Sequence, residues 1–443
     1  MDMAFWIIFS LLLTGVAPLI HINHKGCSSK FQEHRKMENS SMVILDLHHV
    51  HGPCSPLNYT PLPLSETLHL DEARAHSHSL RFLHNKHEIS NASIQKSLKS
   101  GYFIRILTYI ISLDFGSPPK PYLMEVDTGS VLTWLQCRPC IDCHRQSRPI
   151  FDPKASSTYS RVSCQSDYCM QSQQAAAVST GCSDSGACKY EINYGDGSFS
   201  VGLFSKDTIT MGRSFPGFIY GCGEDNEGYF GWAAGLIGMG RHPLSLMSQL
   251  APTYGYTFSY CLPTPDSTGS LTLGPSSAQN YMYTPMYHMS VYPALYFVQL
   301  IGIKVDGHPL PVSDPVYRSS RMLIDSGTTI TRLPKTLYTA LKTAVLRHMP
   351  YKKRAPPGVT LDTCFKVSTS SLHVPEVVLD FRGGAQMRLG GQNVVLEVDN
   401  RVTCLAFAGT DDIPILGNRQ QQGFDVTYDV VGRRIGFAPG RCG

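Results

Sequence analysis

The stretch Val126-Asp127-Thr128-Gly129-Ser130 follows the mixed apolar run PYLMEV and precedes VLTWLQC. This order predicts a β-strand that ends in a sharp turn, with the carboxylate of Asp127 at the end of the strand. The glycine permits the tight backbone of the turn, and the flanking hydroxyls can donate hydrogen bonds to the carboxylate. A single sequence of this kind is ordinary turn chemistry, so one copy is weak evidence for a catalytic site.

The same pattern occurs a second time, as Leu323-Ile324-Asp325-Ser326-Gly327-Thr328 before the segment TITRLP. Each copy follows an apolar run and lies in its own half of the chain, which predicts two similar lobes that face each other. Asp127 and Asp325 would then meet between the lobes. Two carboxylates about 3 Å apart cannot both ionise, so they share one proton. One can activate a water molecule while the other donates a hydrogen bond to an amide carbonyl, which hydrolyses the amide.

A second repeated element supports a duplication. Gly235-Leu236-Ile237-Gly238 follows the first aspartate motif, and Pro414-Ile415-Leu416-Gly417 follows the second. Each half therefore carries an aspartate motif and then an apolar-apolar-glycine element. This order favours two duplicated lobes over two chance matches.

Residues 189–211, KYEINYGDGSFSVGLFSKDTITM, contain two alternating segments joined by Gly195-Asp196-Gly197-Ser198. The pattern predicts a β-hairpin with a glycine-rich tip. Two interpretations stay open. The hairpin is either a plain surface feature or a mobile lid, with Tyr194 just before its tip, that closes over the two aspartates.

The composition is typical of a globular protein of strands and turns. Of the 443 residues, 42% are hydrophobic and only 16% are charged, and glycine, proline and tyrosine are abundant. Such a chain favours an all-β fold of two or three domains. The formal net charge is only +4, from scattered basic residues, so no nucleic-acid surface is predicted. The chain contains neither HExxH nor GxSxG, which disfavours a metallohydrolase and a serine hydrolase.

The first residues indicate entry into the secretory pathway. Residues 4–16, AFWIIFSLLLTGV, are too short to span a bilayer, and they predict a signal peptide over residues 1–20. An uncleaved anchor is the alternative. We expect no stable membrane insertion of the released protein, and an extracellular location with the vacuole as the alternative.

Residues 21–100 are polar and rich in histidine, and they contain the glycosylation sequons at Asn39, Asn58 and Asn91. The histidines have irregular spacing and no cysteine or carboxylate placed with them, so we expect no metal site. A removable pro-segment is the better interpretation. Its histidines would become charged as the pH falls and loosen its hold on an acidic cleft.

Fourteen cysteines indicate an oxidising compartment. Cys137, Cys140 and Cys143 with the adjacent His144 resemble a zinc site in their spacing. Short disulfide-bonded loops are the favoured alternative, and six disulfides of undetermined pairing are predicted. The twelve candidates are Cys137, Cys140, Cys143, Cys164, Cys169, Cys182, Cys188, Cys222, Cys261, Cys364, Cys404 and Cys442.

These motifs resemble the pepsin-like aspartic proteases, and most closely their plant nepenthesin-type branch, over roughly residues 100–443. The resemblance implies a bilobal all-β fold with an N-terminal lobe over 101–290, a C-terminal lobe over 291–443 and the cleft between them. It implies Asp127 and Asp325 as the catalytic pair, and a flap tyrosine at Tyr194 that contacts Trp134. The supporting residues would be Thr128, Gly129, Ser130, Ser326, Gly327 and Thr328, of which Thr128 and Ser326 cross-brace the loops, and the flap would include Gly195, Asp196 and Gly197.

The resemblance further implies an endopeptidase with an acidic pH optimum, acting on polypeptide substrates as a monomer without metal or cofactor. The main alternative to an active endopeptidase is a catalytically inactive pepsin-like module for binding or inhibition. Such relatives usually lack a catalytic aspartate, the flap tyrosine or a motif glycine, and all of these are present here. The stretch 101–118, GYFIRILTYIISLDFGSP, does not match the usual first strand of that family. Two interpretations stay open, which are a strand with an insertion and a helix-like segment.

Overall fold

A computed structural model describes residues 41–50, 52, 54–57, 64–84, 109–172, 178–194, 197–228, 230–264, 267–275, 280–349, 360–399 and 401–440. The predicted signal peptide and the three sequons lie outside these residues. Two parts of the predicted pro-segment are described, a strand and a helix. No helix in the described part of the chain is long and apolar enough to cross a membrane.

Strands dominate both halves of the chain, as the composition predicts. The first half contains β1 Val43–His49, β2 Tyr109–Phe115, β3 Lys120–Asp127, β4 Trp134–Gln136, β5 Asp142–Cys143, β6 Ser160–Arg161, β7 Val178–Cys182, β8 Cys188–Asn193, β9 Phe199–Met211, β10 Arg213–Glu227, β11 Gly235–Gly238, β12 Thr257–Cys261, β13 Thr268–Leu273, β14 Met282–Pro285 and β15 Tyr287–Met289.

The second half continues the same architecture. It contains β16 Tyr292–Val305, β17 His308–Pro309, β18 Arg321–Ile324, β19 Thr331–Pro334, β20 Cys364–Phe365, β21 Val377–Phe381, β22 Gln386–Leu389, β23 Val395–Asp399, β24 Val402–Leu405, β25 Phe407–Thr410, β26 Ile415–Leu416, β27 Phe424–Asp429 and β28 Arg434–Pro439. The helices are α1 Leu64–His84, α2 Asp167–Ser172, α3 Leu246–Tyr254, α4 Asp314–Arg318, α5 Lys335–His348, α6 Gly391–Val394 and α7 Asn418–Gln421.

The two halves build two large sheets. The larger sheet has 16 strands and contains the strands of the first half from β1 to β13, together with β14, β27 and β28. The second sheet has nine strands and includes β16, β18, β19, β25 and β26. The predicted all-β, two-lobed fold is therefore confirmed. The last two strands cross into the larger sheet, where β27 pairs with β12 and ties the halves together.

The repeated sequence elements form the same local structure twice. Strand β11 lies parallel to β3, with Gly238 opposite Asp127. Strand β26 lies parallel to β18, with Leu416 opposite Ile324. Each apolar-apolar-glycine element thus packs beside the strand that carries an aspartate. The glycine is needed because a Cβ at Gly238 would lie 2.3 Å from a backbone carbon of the neighbouring loop.

The unusual stretch 101–118 is a strand where it is described. Strand β2 pairs antiparallel with β3, and all seven of its residues are buried or half-buried. This burial on both faces explains why the sequence is apolar without alternation. A turn at Gly116, with φ of +89°, ends the strand.

The described part of segment 21–100 is integrated into the fold. Strand β1 lies in the larger sheet between β13 and β2. Helix α1 packs on the second half, where Leu68 joins the cluster of Ile330 and Leu361, and Ala75 joins that of Phe297. These two contacts are apolar, so hydrophobic burial contributes to holding the helix in place.

Five disulfides join cysteines that both lie in the described part of the chain, and they are Cys137–Cys222, Cys140–Cys143, Cys164–Cys182, Cys169–Cys188 and Cys364–Cys404. Cys261 is also disulfide-bonded, whereas Cys442 lies outside the described residues. The zinc alternative is excluded because Cys140 and Cys143 are bonded to each other and Cys137 is bonded elsewhere. Four of the five pairs brace the first half, around the hairpin and its flanking loops.

Candidate active site

The two aspartates occupy equivalent turns. Asp127 ends β3 and Asp325 directly follows β18, and both are fully buried. The N–H of Gly129 donates to Asp127 Oδ1 at 3.0 Å, and the N–H of Gly327 donates to Asp325 Oδ1 at 2.9 Å. The hydroxyl of Thr328 donates to Asp325 Oδ2 at 2.6 Å. Each carboxylate is therefore fixed by its own turn, as the motif predicts.

A reciprocal pair of hydrogen bonds joins the two turns. The N–H of Ser326 donates to Thr128 Oγ1 at 2.9 Å, and the N–H of Thr128 donates to Ser326 Oγ at 3.2 Å. All four groups are buried, so their loss would leave unsatisfied polar atoms. The cross-brace that the resemblance implies is present. It holds the two aspartates in one rigid arrangement.

Helix α1 lies directly over the aspartates. Arg74 Nη2 donates to Asp127 Oδ1 at 2.6 Å and to both oxygens of Asp325 at 3.1 Å. Arg74 Nε also donates to Asp325 Oδ2 at 3.2 Å. One guanidinium nitrogen therefore contacts both carboxylates, which shows that they face a common space. In this arrangement the Arg74 guanidinium occupies the space between the two carboxylates.

The environment separates the proton affinities of the two carboxyl groups. Burial and the neighbouring charge of Asp325 raise the pKa of Asp127, although Arg74 lowers it in part. Burial also raises the pKa of Asp325, but Arg74, His78 and the hydroxyl of Thr328 outweigh burial, so the net pKa is lowered. Under the helix, Asp325 is therefore the ionised member of the pair. The proton itself belongs to the pair as a unit.

His78 is a second group of α1 at this site. Its Nε2 lies 3.4 Å from Asp325 Oδ2, and its side chain is buried. Protonation of His78 would add an attraction to Asp325. The expectation that the histidines of this segment loosen its hold as they become charged therefore does not apply to His78, because it faces a carboxylate.

The sequence interpretation did not identify Arg74, Asp71 or His78 as site residues. These residues lie at spacings of three and four along α1, so they share one helix face. That spacing, within the helical-looking LHLDEARAHSHSL, is the signal that could have revealed a charged stripe. What the spacing cannot reveal is the surface on which the stripe docks.

The predicted hairpin is confirmed, since β8 pairs antiparallel with β9 with Asn193 opposite Phe199. Tyr194 lies at its end, and Trp134 Nε1 donates to the Tyr194 hydroxyl at 2.7 Å. The rings of Trp134 and Tyr194 both pack edge-on against Phe230. At the tip, Gly197 has a φ of +84°, whereas Gly195 and Asp196 lie outside the described residues. Tyr194 is thus held in position by a buried tryptophan.

Ser130 follows the first turn and is buried, and its carbonyl accepts from the N–H of Gly240 at 2.8 Å. This bond ties the first turn to the end of β11.

Across the described ranges, no cluster of three or more histidine, cysteine or acidic side chains could hold a metal ion. The chemistry that the arrangement offers is that of two facing carboxyl groups in a buried, hydrogen-bonded site.

Comparisons with known proteins agree with this geometry. Residues 109–275 match the family model "Xylanase inhibitor N-terminal", and residues 295–439 match "Xylanase inhibitor C-terminal". The chain is 40% identical over 414 residues to an aspartyl protease family protein of Arabidopsis thaliana, covering 90% of this chain and 87% of that protein. It is 36% identical over 353 residues to the aspartic proteinase nepenthesin-1 of Nepenthes gracilis, covering 76% and 78%.

A solved structure supports the fold alone. The basic 7S globulin of soybean superposes with a TM-score of 0.60 at 20% identity, over 75% of this chain and 91% of that protein.

Proposed function

Because this chain belongs to the plant aspartic proteases, the family that includes the nepenthesins, and is an aspartic endopeptidase, we propose that Asp127 and Asp325 are its catalytic pair. We further propose that it is made as a latent precursor. Its peptidase activity would appear at acidic pH, after helix α1 has left the two aspartates. The single observation that carries the proposal is the contact of Arg74 with both carboxylates.

In the proposed mechanism, a water molecule takes the place of the Arg74 guanidinium between the two aspartates. One carboxylate removes a proton from this water as it attacks the peptide carbonyl carbon. The protonated partner donates a hydrogen bond to the carbonyl oxygen, and the amide nitrogen is protonated as it leaves. The N–H groups of Gly129 and Gly327 hold the carboxylates throughout. We propose that Tyr194 closes the flap over an extended peptide, positioned by its bond from Trp134.

Latency follows from the charge on Asp325. Because Arg74 and His78 hold the pKa of Asp325 below its ordinary value of 3.8, the ionised carboxylate stabilises the helix in the cleft. This stabilisation is complete at pH values above 3.8 and is lost as the pH falls below it. We therefore expect acid to release the helix. A secreted protein whose cysteines are oxidised is consistent with such a precursor.

The test is hydrolysis of denatured globin between pH 2 and 6 by the secreted, acid-treated protein, with and without pepstatin. Cleavage that occurs at acid pH and is blocked by pepstatin would support the proposal. A neutral-to-alkaline optimum that is insensitive to pepstatin would refute the assignment of the two aspartates.

The second candidate is a binding or inhibitory module, which the names of the matching family models, Xylanase inhibitor N-terminal and C-terminal, favour. The same assay separates the two functions. A folded protein that has lost residues 21–100 and still cleaves nothing would support the binding module.

A further inference from the structure

A second charged contact of α1 lies beside the aspartates. Asp71 is fully buried, and its Oδ2 accepts from Arg332 Nη2 at 3.0 Å and from the N–H of Ile330 at 3.1 Å. Its Oδ1 accepts from the N–H of Thr329. Glu72 Oε2 accepts from Arg332 Nη1 at 2.5 Å. One carboxylate of the helix is thus held by a guanidinium and two backbone N–H groups.

The donors of this site belong to a rigid part of the second half. Arg332 lies in β19 and pairs with Ala408 of β25 and Ile415 of β26. The N–H of the preceding Thr331 donates to the side chain of Gln420. None of these contacts involves α1, so the donors keep their positions when the helix leaves.

Departure of the helix would leave the Arg332 guanidinium without its carboxylate partners. With α1 in place the Arg332 side chain is only 2% exposed, and both of its ion pairs within the described ranges are made with α1. The guanidinium and the N–H groups of Thr329 and Ile330 would lose their common acceptor, Asp71, in one step. The vacated site should therefore bind an anion. Two N–H groups beside a guanidinium can all donate hydrogen bonds to one carboxylate.

The site lies within reach of a bound peptide. Thr329 follows Asp325 by four residues, and α1 places Asp71 three residues from Arg74, which contacts the catalytic pair. An extended peptide advances about 3.3 Å per residue. A substrate centred on the two aspartates would therefore pass this site within about four residues of the bond to be cleaved.

We propose that Arg332 and the N–H groups of Thr329 and Ile330 form a substrate subsite for an acidic side chain, which Asp71 occupies in the precursor. The proposal rests on the proposed peptidase function and names the substrate class, which is a polypeptide with a glutamate or aspartate within about four residues of the cleaved bond.

The test uses the activated protein and a series of capped peptides with one cleavable bond. Glutamate or glutamine is placed in turn at each of four positions on either side, among neutral residues, so that the side chain is the sole carboxylate. Cleavage is measured at pH 5, above the pKa of a free glutamate, which is about 4.3. At one position we expect kcat/KM to be about tenfold higher for glutamate than for glutamine, because the carboxylate receives charge-assisted hydrogen bonds.

Two variants assign the preference to this site. Arg332→Gln should abolish the preference, so that kcat/KM for the glutamate peptide falls to the value that the same variant gives for the glutamine peptide. Arg332→Lys keeps a charge and should retain a reduced preference, which covers the case in which the glutamine variant does not fold. Asp71→Asn, in a segment that activation removes, is the matched control and should leave the preference unchanged.

Three results would overturn the inference. An active wild-type protein that cleaves all peptides but prefers glutamate at none of the positions would refute the subsite alone. A preference that persists undiminished in the Arg332 variants would place it elsewhere. A folded, released protein that cleaves neither these peptides nor globin would refute the peptidase function itself, and the subsite with it.

Discussion

Replacement of Arg74 by alanine should switch on the precursor without removal of its helix. Arg74 is the residue of α1 that contacts both carboxylates, and its side chain is only 8% exposed. The variant removes hydrogen bonds of 2.6 Å to Asp127 and of 3.1 Å and 3.2 Å to Asp325. The apolar contacts of the helix at Leu68 and Ala75 remain, so the precursor should still fold.

The expected magnitude follows from the burial of this contact. Removal of one partner of a buried ion pair costs about 3–5 kcal/mol. Part of this lost stabilisation of the closed cleft is recovered, because two carboxyl groups without the guanidinium can share a proton. We therefore take the lower end of this range, about 3 kcal/mol. A change of that size in the free energy of the closed cleft increases the population with an open cleft about a hundredfold.

The assay is cleavage of a fluorogenic peptide at pH 5.5 by precursor that has never been acidified. Electrophoresis at the end of each run would establish that the chain is still intact. His76→Ala is the matched control. His76 lies on the same helix but pairs with Asp412 at the surface, with 59% and 37% of their side chains exposed. Exposed pairs contribute about 0–1 kcal/mol, so this variant should change the rate less than about fivefold.

Equal activity of the Arg74→Ala and wild-type precursors, with the mature forms equally active, would refute the reasoning. It would show that the remaining contacts of α1, which are its apolar packing and the ion pairs of Asp71 and Glu72 with Arg332, keep the cleft closed without Arg74.

Three further predictions concern the site and its support. Gly129→Ala should abolish activity, because the added Cβ would lie 2.8 Å from Asp325 Oδ1. A peptide-cleavage assay would test this, with Gly181→Ala as the control, because a Cβ at Gly181 meets no atom within 4 Å. Thr128→Val leaves the buried N–H of Ser326 without its acceptor, so the free energy of unfolding should fall by about 1–3 kcal/mol in urea titrations, and Thr128→Ser should retain most of it. Burial lowers the pKa of His144 to about 4 from 6.5. The neutral form therefore stabilises the fold fully above pH 6.5, and this contribution, about 3 kcal/mol, is lost as the pH falls from 6.5 to 4. Unfolding of His144→Gln should depend less on pH over that range, and an unchanged slope would contradict it.

The aspartate turns could be predicted from the sequence because their structure is local. An apolar run followed by Asp-Thr-Gly or Asp-Ser-Gly specifies a strand end and a turn, whatever lies around it. The hairpin that contains Tyr194 is local in the same sense, because β8 ends at Asn193 and β9 begins at Phe199, with only five residues between them. The repetition of the motif in both halves then predicted one long-range contact, in which Asp127 and Asp325 face each other.

The contacts of α1 could not be predicted because they depend on tertiary docking. Arg74 lies 53 residues from Asp127 and 251 residues from Asp325 in the chain. Nothing in the spacing of a helix face specifies which distant surface it covers. The disulfide pairs have the same limitation, since twelve cysteines allow many pairings and only the fold brings Cys137 beside Cys222.

The same physical reason applies to strand β1. Its alternating buried and half-exposed residues indicate a strand, but pairing with β13 requires a partner more than 200 residues away. The sequence therefore indicated a separable segment, whereas the structure integrates that segment into the larger sheet.

The most direct test of the central claim is the activity of Asp127→Asn and Asp325→Asn proteins after residues 21–100 have been removed by an added protease. Each variant keeps the shape of the carboxyl group but cannot take a proton from water. Loss of general-base catalysis alone should lower kcat at least about a hundredfold, while circular dichroism and thermal unfolding stay close to wild type. A folded variant of either residue that retains substantial pepstatin-sensitive activity would contradict the assignment of these two aspartates as the catalytic pair.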